Sequence, residues 1–421
     1  MSCIKENKIA DNILWNTVGS LFYLVCQWLL GVFVVRLSGS YGDAGILSLA
    51  MSIATFFSVI TLFNVRNYQV SDSKGEYSSS DYVFHRIVTC VLSFVLCVIF
   101  VLINSYDLVT SLSVIAYMLV KLVEGFADVL HGEAQKKWRL DIAGKSFIMR
   151  GILLISSFSI TVWLTKNLAL AIFMMAIATL VPLIAYDFFA VRKVESFSLK
   201  QIDKKSLLSL SKTCLPMVIY GAAINAIVPF ARYILEFYHG TESLGYYASV
   251  STIAVLVQAF VTFVFTPLIG LFENAASIGN KKAMLTLLLK LVALLIGVTA
   301  VALVAIAFFG EFAMVLMFGE EIRAYVYLLY PTIIASCLTA FVWLMGMLLV
   351  VIRDSVTLLV GAVIGFALGV VIAFVMIPQN EYLGTNMSII AAFALISLVY
   401  IVRFIIYFFK NKEGENNVGK R

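Results

Sequence analysis

A chain of 421 residues that is 62% hydrophobic and 13% charged, with a mean hydropathy of +1.00, is too apolar for a water-soluble globular domain. Its net charge of +6 is carried in short gaps between apolar runs, not on one soluble face, which argues against nucleic acid as a partner. The six cysteines show no CxxC spacing and read as small hydrophobes, without a metal site.

Apolar runs fall near 13–35, 44–64, 84–103, 108–130, 146–165 and 168–191, and then near 214–237, 245–271, 284–308, 324–350, 356–377 and 384–409. A membrane-crossing helix needs roughly 20 apolar residues, so the expectation is an all-α polytopic membrane protein with about twelve transmembrane helices. Alternate gaps collect the basic residues. One side holds Lys5, Lys8, Arg66, Lys74, Arg86, the cluster Lys136, Lys137, Arg139 and Lys145, the linker cations from Arg192 to Lys212, and the tail; the other holds Arg36, Lys166 and Arg323. Lys and Arg are retained in the cytoplasm, so both termini are expected inside. The long basic gap divides the chain into a bundle over 1–194, a cytoplasmic linker over 195–213, a bundle over 214–409 and a tail over 410–421. Ala44-Gly45 with Ser48 and Ser52 finds a counterpart in Leu244-Gly245 with Ala248 and Thr252, at an offset of 200 residues. Six spans per half make the halves parallel repeats.

Polar residues inside the spans are few and periodic. In the first, Asn16, Ser20, Tyr23 and Gln27 share one helical face. The fourth carries Tyr117, Lys121, Glu124 and Asp128 on a narrow stripe, and the seventh carries Gly221, Asn225, Arg232 and Glu236, with Pro229 between them. A cation at bilayer depth costs roughly 2.5–3.5 kcal/mol by insertion scales, so these stripes are expected to face protein or a cavity between the halves. Arg232 and Lys121 would attract an anionic headgroup there. The competing reading is internal pairing, of Arg232 with Glu236 and of Lys121 with Glu124, at i,i+4 and i,i+3. Arg150, Asp187 and Arg403 read as snorkelling anchors at span ends, His131 as a span-edge residue, and Glu133 and Asp141 as solvated loop carboxylates. No catalytic triad or phosphate-cradling loop is present in the sequence, which disfavours an enzyme and an ATP-driven pump.

Several local motifs point further: Arg66-Asn67-Tyr68-Gln69-Val70-Ser71-Asp72, then Asp128-Val129 with Gly132 and Gln135, then Arg139-Leu140-Asp141-Ile142-Ala143-Gly144-Lys145. The second half adds Arg232-Tyr233, Leu244-Gly245-Tyr246-Tyr247-Ala248, and Phe318-Gly319 leading to Tyr330-Pro331. With these the chain resembles bacterial polysaccharide flippases of the O-antigen (Wzx) type, in the multidrug/oligosaccharidyl-lipid/polysaccharide flippase superfamily. The resemblance implies two six-helix bundles around a central cavity in a bacterial cell membrane, alternately open inward and outward. It implies translocation of an undecaprenyl-diphosphate-linked oligosaccharide, an O-antigen, capsular or exopolysaccharide repeat unit, from the cytoplasmic to the outer leaflet. Asn16, Tyr23, Gln27, Lys121, Asn225 and Arg232 would line the cavity, and Glu236 would be a structural partner. No cofactor is implied, beyond coupling to a proton or sodium gradient at Glu124 or Asp128. Membrane lipids, a polysaccharide polymerase and other assembly proteins are the expected partners. An exporter of small molecules or drugs from the same superfamily shares the architecture, and a polymerase or ligase is the remaining alternative.

Overall fold

The computed structural model describes residues 2–72, 75–195, 204–265, 269–278 and 280–410, with side chains described over most of that range. Among the described residues the chain is helical and holds no strand. In hydrocarbon every backbone N–H and C=O must be satisfied within the segment, which leaves the helix as the economical answer for runs this apolar. The chain is a multi-pass integral membrane protein.

The order is α1 (Ser2–Ser38), α2 (Tyr41–Leu62), α3 (Val65–Ser71), α4 (Ser79–Asn104), α5 (Leu108–Lys136), α6 (Leu140–Thr165) and α7 (Leu168–Pro182). A π-helical turn over Leu183–Asp187 joins α7 to α8 (Phe188–Arg192). Then come α9 (Lys204–Phe265), α10 (Ile269–Ser277), α11 (Lys281–Phe318), a 3-10 helix over Glu320–Leu328, α12 (Leu329–Val351) and α13 (Ser355–Lys410). Among the described residues ten helical stretches are long and apolar enough to cross a membrane. The difference from the twelve expected runs has a physical source. The seventh run and the eighth as far as Phe265 lie in α9, on either side of a non-helical Gly240, and the eleventh and twelfth both lie in α13, on either side of a non-helical Glu381.

Polar caps start the helices. Ser78 and Asp81 form a capping box at α4, Asp107 accepts from the Val109 and Thr110 N–H groups at α5, and Asn167 accepts from the Leu170 N–H at α7. Left-handed glycines precede both members of the internal repeat: Gly39 (φ 76°) stands before α2 and Gly240 (φ 84°) before the second arm of α9. The exterior is apolar, as Ile103, Phe308 and Phe312 are each at least 70% exposed, while the buried set includes Arg86, Arg150, Asp187 and Glu133. That polarity is the reverse of a water-soluble domain's and suits lipid as solvent.

The chain divides into two compact units, Met1–Asn225 and Ala226–Arg421. In the first, α1 and α6 cross at glycines: a Cβ on Gly19 would stand 2.1 Å from the Gly144 carbonyl oxygen, and one on Gly144 would stand 2.1 Å from that of Trp15. Backbones meet where side chains would hold them apart, which explains Gly144 inside one of the sequence motifs. In the second unit Gly361, Gly365 and Gly369 repeat every four residues and receive Tyr400, Ile396 and Ala392, so the two arms of α13 pack on each other. A Gly144→Leu substitution is expected to overpack the α1–α6 crossing by at least about 1–3 kcal/mol. Fluorescence-detected size exclusion after heating should show the melting temperature lowered by several degrees, whereas Gly270→Ala, which has no atom within 4 Å of the added Cβ, should leave it unchanged.

Candidate functional site

The first unit encloses a cavity of about 220 Å³ lined by α1, α2, α3, α5 and α6. Its walls include Tyr23, Arg66, Lys121, Glu124, Asp128, His131, Phe147 and Arg150. Three carboxylates organise the site, each with its own set of donors.

Glu124 is the first. Its Oε1 accepts from the Tyr23 hydroxyl and from Gln27 Nε2 at 2.9 Å, and its Oε2 accepts from Lys121 Nζ at 2.8 Å. The polar faces of α1 and α5 therefore meet at one carboxylate, as their periodicity suggests. Lys121 also lies over the Tyr117 ring at 5.7 Å.

Asp128 is the second, and it sits between two guanidinium groups. Arg66 Nη1 donates to Oδ1 at 2.9 Å and Arg86 Nη2 to Oδ2 at 3.0 Å. A helix break positions both arginines. Phe63 and Asn64 adopt left-handed backbone (φ 47° and 53°), ending α2 and starting α3 at a new angle. The last carbonyls of α2 lose their intrahelical donors at that break. Arg86 Nη1 takes up the Thr61 carbonyl at 2.5 Å, beside the Thr89 hydroxyl at 2.9 Å. A cation at a helix C-terminus is favoured by the helix dipole. Arg86 is 1% exposed, so it is held entirely by protein. Arg66, the second residue of the new helix, reaches Asp128 and also donates to Gln135 at 2.9 Å.

Asp187 is the third. It closes the π-helical turn that follows Pro182, whose missing N–H disrupts the regular ladder. There it accepts from Arg150, from Ser146 Oγ at 2.9 Å and from His131 Nε2 at 3.2 Å. Arg150, Asp187 and His131 are each no more than 1% exposed. Arg150 and Asp187 form an ion pair of the interior and His131 is hydrogen-bonded to the same carboxylate, in place of the snorkelling anchors and span-edge histidine that their sequence positions suggest. The cause is length: α5 runs on to Lys136, past the expected end near 130, and the π turn keeps Asp187 inside. Arg403 does fall near a helix end, where it pairs with Asp354.

Two further readings change because α5 runs on to Lys136 and α6 starts at Leu140, ahead of the run expected from 146. Glu133 is 1% exposed, accepting from Gln69 Nε2 at 2.6 Å and Ser79 Oγ at 3.0 Å. Asp141 is 7% exposed and pairs with Arg139 at 2.8 Å, with Lys145 Nζ 3.5 Å away. Neither is a solvated loop carboxylate. Gly132 makes room for this contact, since a Cβ there would stand 2.1 Å from Gln69 Oε1. Asp72 completes the region outside the spans: burial pushes its carboxyl up, but the Glu76 N–H, the Tyr82 hydroxyl and the Tyr77 N–H outweigh that and hold it below the usual range. Two of the sequence motifs thus face each other residue for residue, Arg66 to Asp128 and Gln135, and Gln69 to Glu133 and the Val129 carbonyl.

Other expected cavity residues lie elsewhere. Asn16 sits where α1 crosses Gly144, away from the carboxylates. Asn225 is exposed and donates back to the Gly221 carbonyl at 2.8 Å. Arg232 belongs to the second unit, where its Nε is buried without a hydrogen-bond partner and its charge faces the Tyr247 hydroxyl. Tyr247 and Thr332 in turn donate to Asn386 Oδ1, at 3.1 and 3.3 Å. The pairing expected between Arg232 and Glu236 is not among the ion pairs of the described residues, whereas that between Lys121 and Glu124 is formed.

Counting the cavity and its immediate backing, Arg66, Arg86, Lys121 and Arg150 face Glu124, Asp128 and Asp187, which leaves one net positive charge with His131 neutral. Among the described residues Arg150 Nε has no hydrogen-bond partner. Removing one member of such a set should be costly. Asp128→Asn leaves Arg86 buried against a neutral amide and is expected to destabilise by about 3–5 kcal/mol. Chemical unfolding in detergent should show that loss, with much of it recovered in the Arg86→Met/Asp128→Leu double variant.

Residues 9–273 match the family described as "Polysaccharide biosynthesis protein". The capsular polysaccharide biosynthesis protein CapF of Staphylococcus aureus is 25% identical over 409 residues, spanning 94% of this chain and 99% of that protein. Among solved structures, an inward-facing multidrug resistance MATE transporter of the MOP superfamily matches with a TM-score of 0.73 at 14% identity, over 96% of this chain and 99% of its own. Lipid II flippase MurJ, in an inward closed conformation, matches with a TM-score of 0.69 at 10% identity, over 95% and 90%. The fold is that of these transporters.

Proposed function

Because the chain belongs to the polysaccharide biosynthesis protein family, we propose that it carries an undecaprenyl-diphosphate-linked oligosaccharide from the cytoplasmic to the outer leaflet of a bacterial cell membrane by alternating access. The observation that supports this best is the convergence of Arg66, Lys121 and Arg150 on one cavity with a net positive charge. A diphosphate needs several cationic donors. Arg66 and Lys121 are the partly exposed ones, at 27% and 16% of their side chains. Arg86, fully enclosed, holds the site's geometry. Polysaccharide assembly supplies such lipids, and the likeness to CapF over nearly the whole chain fits that setting.

The mechanism would be an exchange of ionic partners. Phosphate oxygens arriving at Lys121 and Arg66 compete with Glu124 and Asp128 for the same donors. A carboxylate that loses its cation becomes a site that a proton or a sodium ion can occupy, which is how a gradient would be coupled to the cycle. Covalent chemistry has no part in this, and Tyr23, Gln27 and Phe147 offer the hydroxyl, amide and aromatic surface that a sugar next to the diphosphate would meet.

The test is leaflet-to-leaflet transfer of a labelled undecaprenyl-diphosphate oligosaccharide in proteoliposomes. Wild type should accelerate it, and Arg66→Gln and Lys121→Gln should each slow it by about 10–100-fold, the worth of one charge-assisted bond of roughly 1.5–3 kcal/mol. Arg232→Ala reports separately on the second unit. If a correctly inserted wild-type protein gives no acceleration, while the same vesicles accumulate organic cations, the exporter reading takes its place.

A further inference from the structure

His131 lines the cavity of the first unit, where its ring stands edge-on to Phe147 with centroids 5.4 Å apart. Glu124, Asp128 and Asp187 each hold a cation already, so a proton reaches any of them only by displacing Lys121, Arg66 with Arg86, or Arg150. A neutral imidazole takes up a proton without displacing anything, and histidine is the side chain that ordinarily does so near physiological pH.

The hydrogen bonds fix where that proton goes. His131 Nε2 donates to Asp187 Oδ1 at 3.2 Å, so the lone pair of the neutral ring is on Nδ1, and Nδ1 is where a proton from the aqueous phase binds. Asp187 Oδ2 meanwhile accepts from Arg150 Nη2, and from Ser146 Oγ at 2.9 Å. One carboxylate, 0% exposed, thus stands between an imidazole and a guanidinium with a single negative charge to share. With His131 neutral, that charge belongs to Arg150. With His131 protonated, two cations divide it, and Arg150 is left with uncompensated positive charge at the cavity wall. Its Nε, which has no hydrogen-bond partner among the described residues, is a donor that an anion can satisfy.

The remaining charges couple the proton to the anion. Arg66 on α3 and Arg150 on α6 repel a proton on His131, and Asp187 attracts it. Asp128, one turn back on α5, is held by Arg66 and Arg86, and Glu124 by Lys121, Tyr23 and Gln27, while α7 carries no ionisable side chain. An anion bound at Arg66 and Arg150 cancels their repulsion of the imidazolium. Proton and anion therefore favour each other's binding, by the same factor in each direction.

We propose that His131 is a proton-binding site of the transport cavity, and that its protonation loosens Arg150 from Asp187 to serve beside Arg66 and Lys121 as a donor to the diphosphate. The identity of the anion rests on the transport reading. The site is additional to the carboxylates that an arriving anion frees, because it loads before the anion and raises the positive charge that the anion meets. Affinity is high below the pH at which His131 gives up its proton and falls as the pH rises through it.

The full chain in lipid nanodiscs provides the test, with undecaprenyl-diphosphate N-acetylglucosamine as the probe, titrated across the histidine range of about pH 5.5 to 8. Wild type should bind it about tenfold more tightly at the acid end. Calorimetry in two buffers of different ionisation heat should show a proton taken up on binding. His131→Gln should lose both the pH dependence and the proton uptake, and bind throughout as wild type does at the alkaline end. Ring-nitrogen NMR of histidine-labelled wild type reads the same event without a His131 variant, since the chain has three histidines and His85→Gln and His239→Gln assign the third by elimination. That ring should become imidazolium at a higher pH with the probe bound than without it. Wild-type affinity that is constant with pH, proton uptake retained in His131→Gln, or a His131 ring that stays neutral in the complex overturns the site. Leaflet-to-leaflet transfer in proteoliposomes separates this from the transport reading. Proton uptake at His131 on binding, without transfer by wild type, leaves the site standing and removes that reading; transfer by wild type with pH-independent binding does the reverse.

Discussion

An ionised group in hydrocarbon must find its counter-charge within the protein, and Asp128 is where this chain answers that demand most fully. Its two oxygens hold Arg66 and Arg86, and each arginine reaches a second partner that fixes a helix. Through Arg86 the carboxylate is tied to the broken end of α2, and through Arg66 to Gln135 near the end of α5. The break in α2 at Phe63 and Asn64 would be costly in a lipid-facing helix, because it strands carbonyls with no water to donate to them. Here the stranded carbonyl of Thr61 faces Arg86 and the Thr89 hydroxyl, so the break is sustained by the same arginine that holds Asp128. Broken helices are tolerated at membrane depth where they line a cavity, and this one places Arg66 at the cavity wall.

Buried ion pairs are a poor source of net stability, since desolvation offsets most of the attraction. Their recurrence around one cavity therefore calls for a reason other than holding the bundle together. Glycine-mediated crossings such as Gly19 on Gly144 already bring helices into contact without any charge. What paired charges provide, and packed leucines do not, is a set of donors that can change partners when an anion arrives. Lys121 and Arg66 are the members of the set with exposed surface, while Arg150 lines the cavity at 1% exposure and Arg86 lies behind the wall.

Much of this could be read from the sequence, and the rest could not, for identifiable reasons. Helical periodicity placed Tyr23, Gln27, Lys121 and Glu124 on facing stripes because a polar residue in an apolar run has nowhere else to point. It failed at the helix ends. Arg66 and Arg86 counted as loop cations, although Arg86 falls inside the run 84–103, and that placement was the available signal. Arg150 and Asp187 lie far apart in sequence and become partners only because a π turn after Pro182 rotates the aspartate inward, which no fixed period of 3.6 residues can express. The stripe Asn225–Arg232 shows the converse limit: a shared helical face says nothing about which compact unit each residue joins, and the two residues fall on opposite sides of the division at Asn225.

The two halves of the repeat also differ in how they use polarity. In the first unit charge is dense and paired around the cavity. In the second, Tyr247 and Thr332 meet Asn386 in the interior, where among the described residues the Arg232 Nε has no hydrogen-bond partner, while Glu242, Glu320, Glu321 and Glu381 lie at the bends near Gly240, Gly319 and Glu381. Repeated backbone architecture, marked by the left-handed glycines Gly39 and Gly240, has therefore been filled with unlike chemistry.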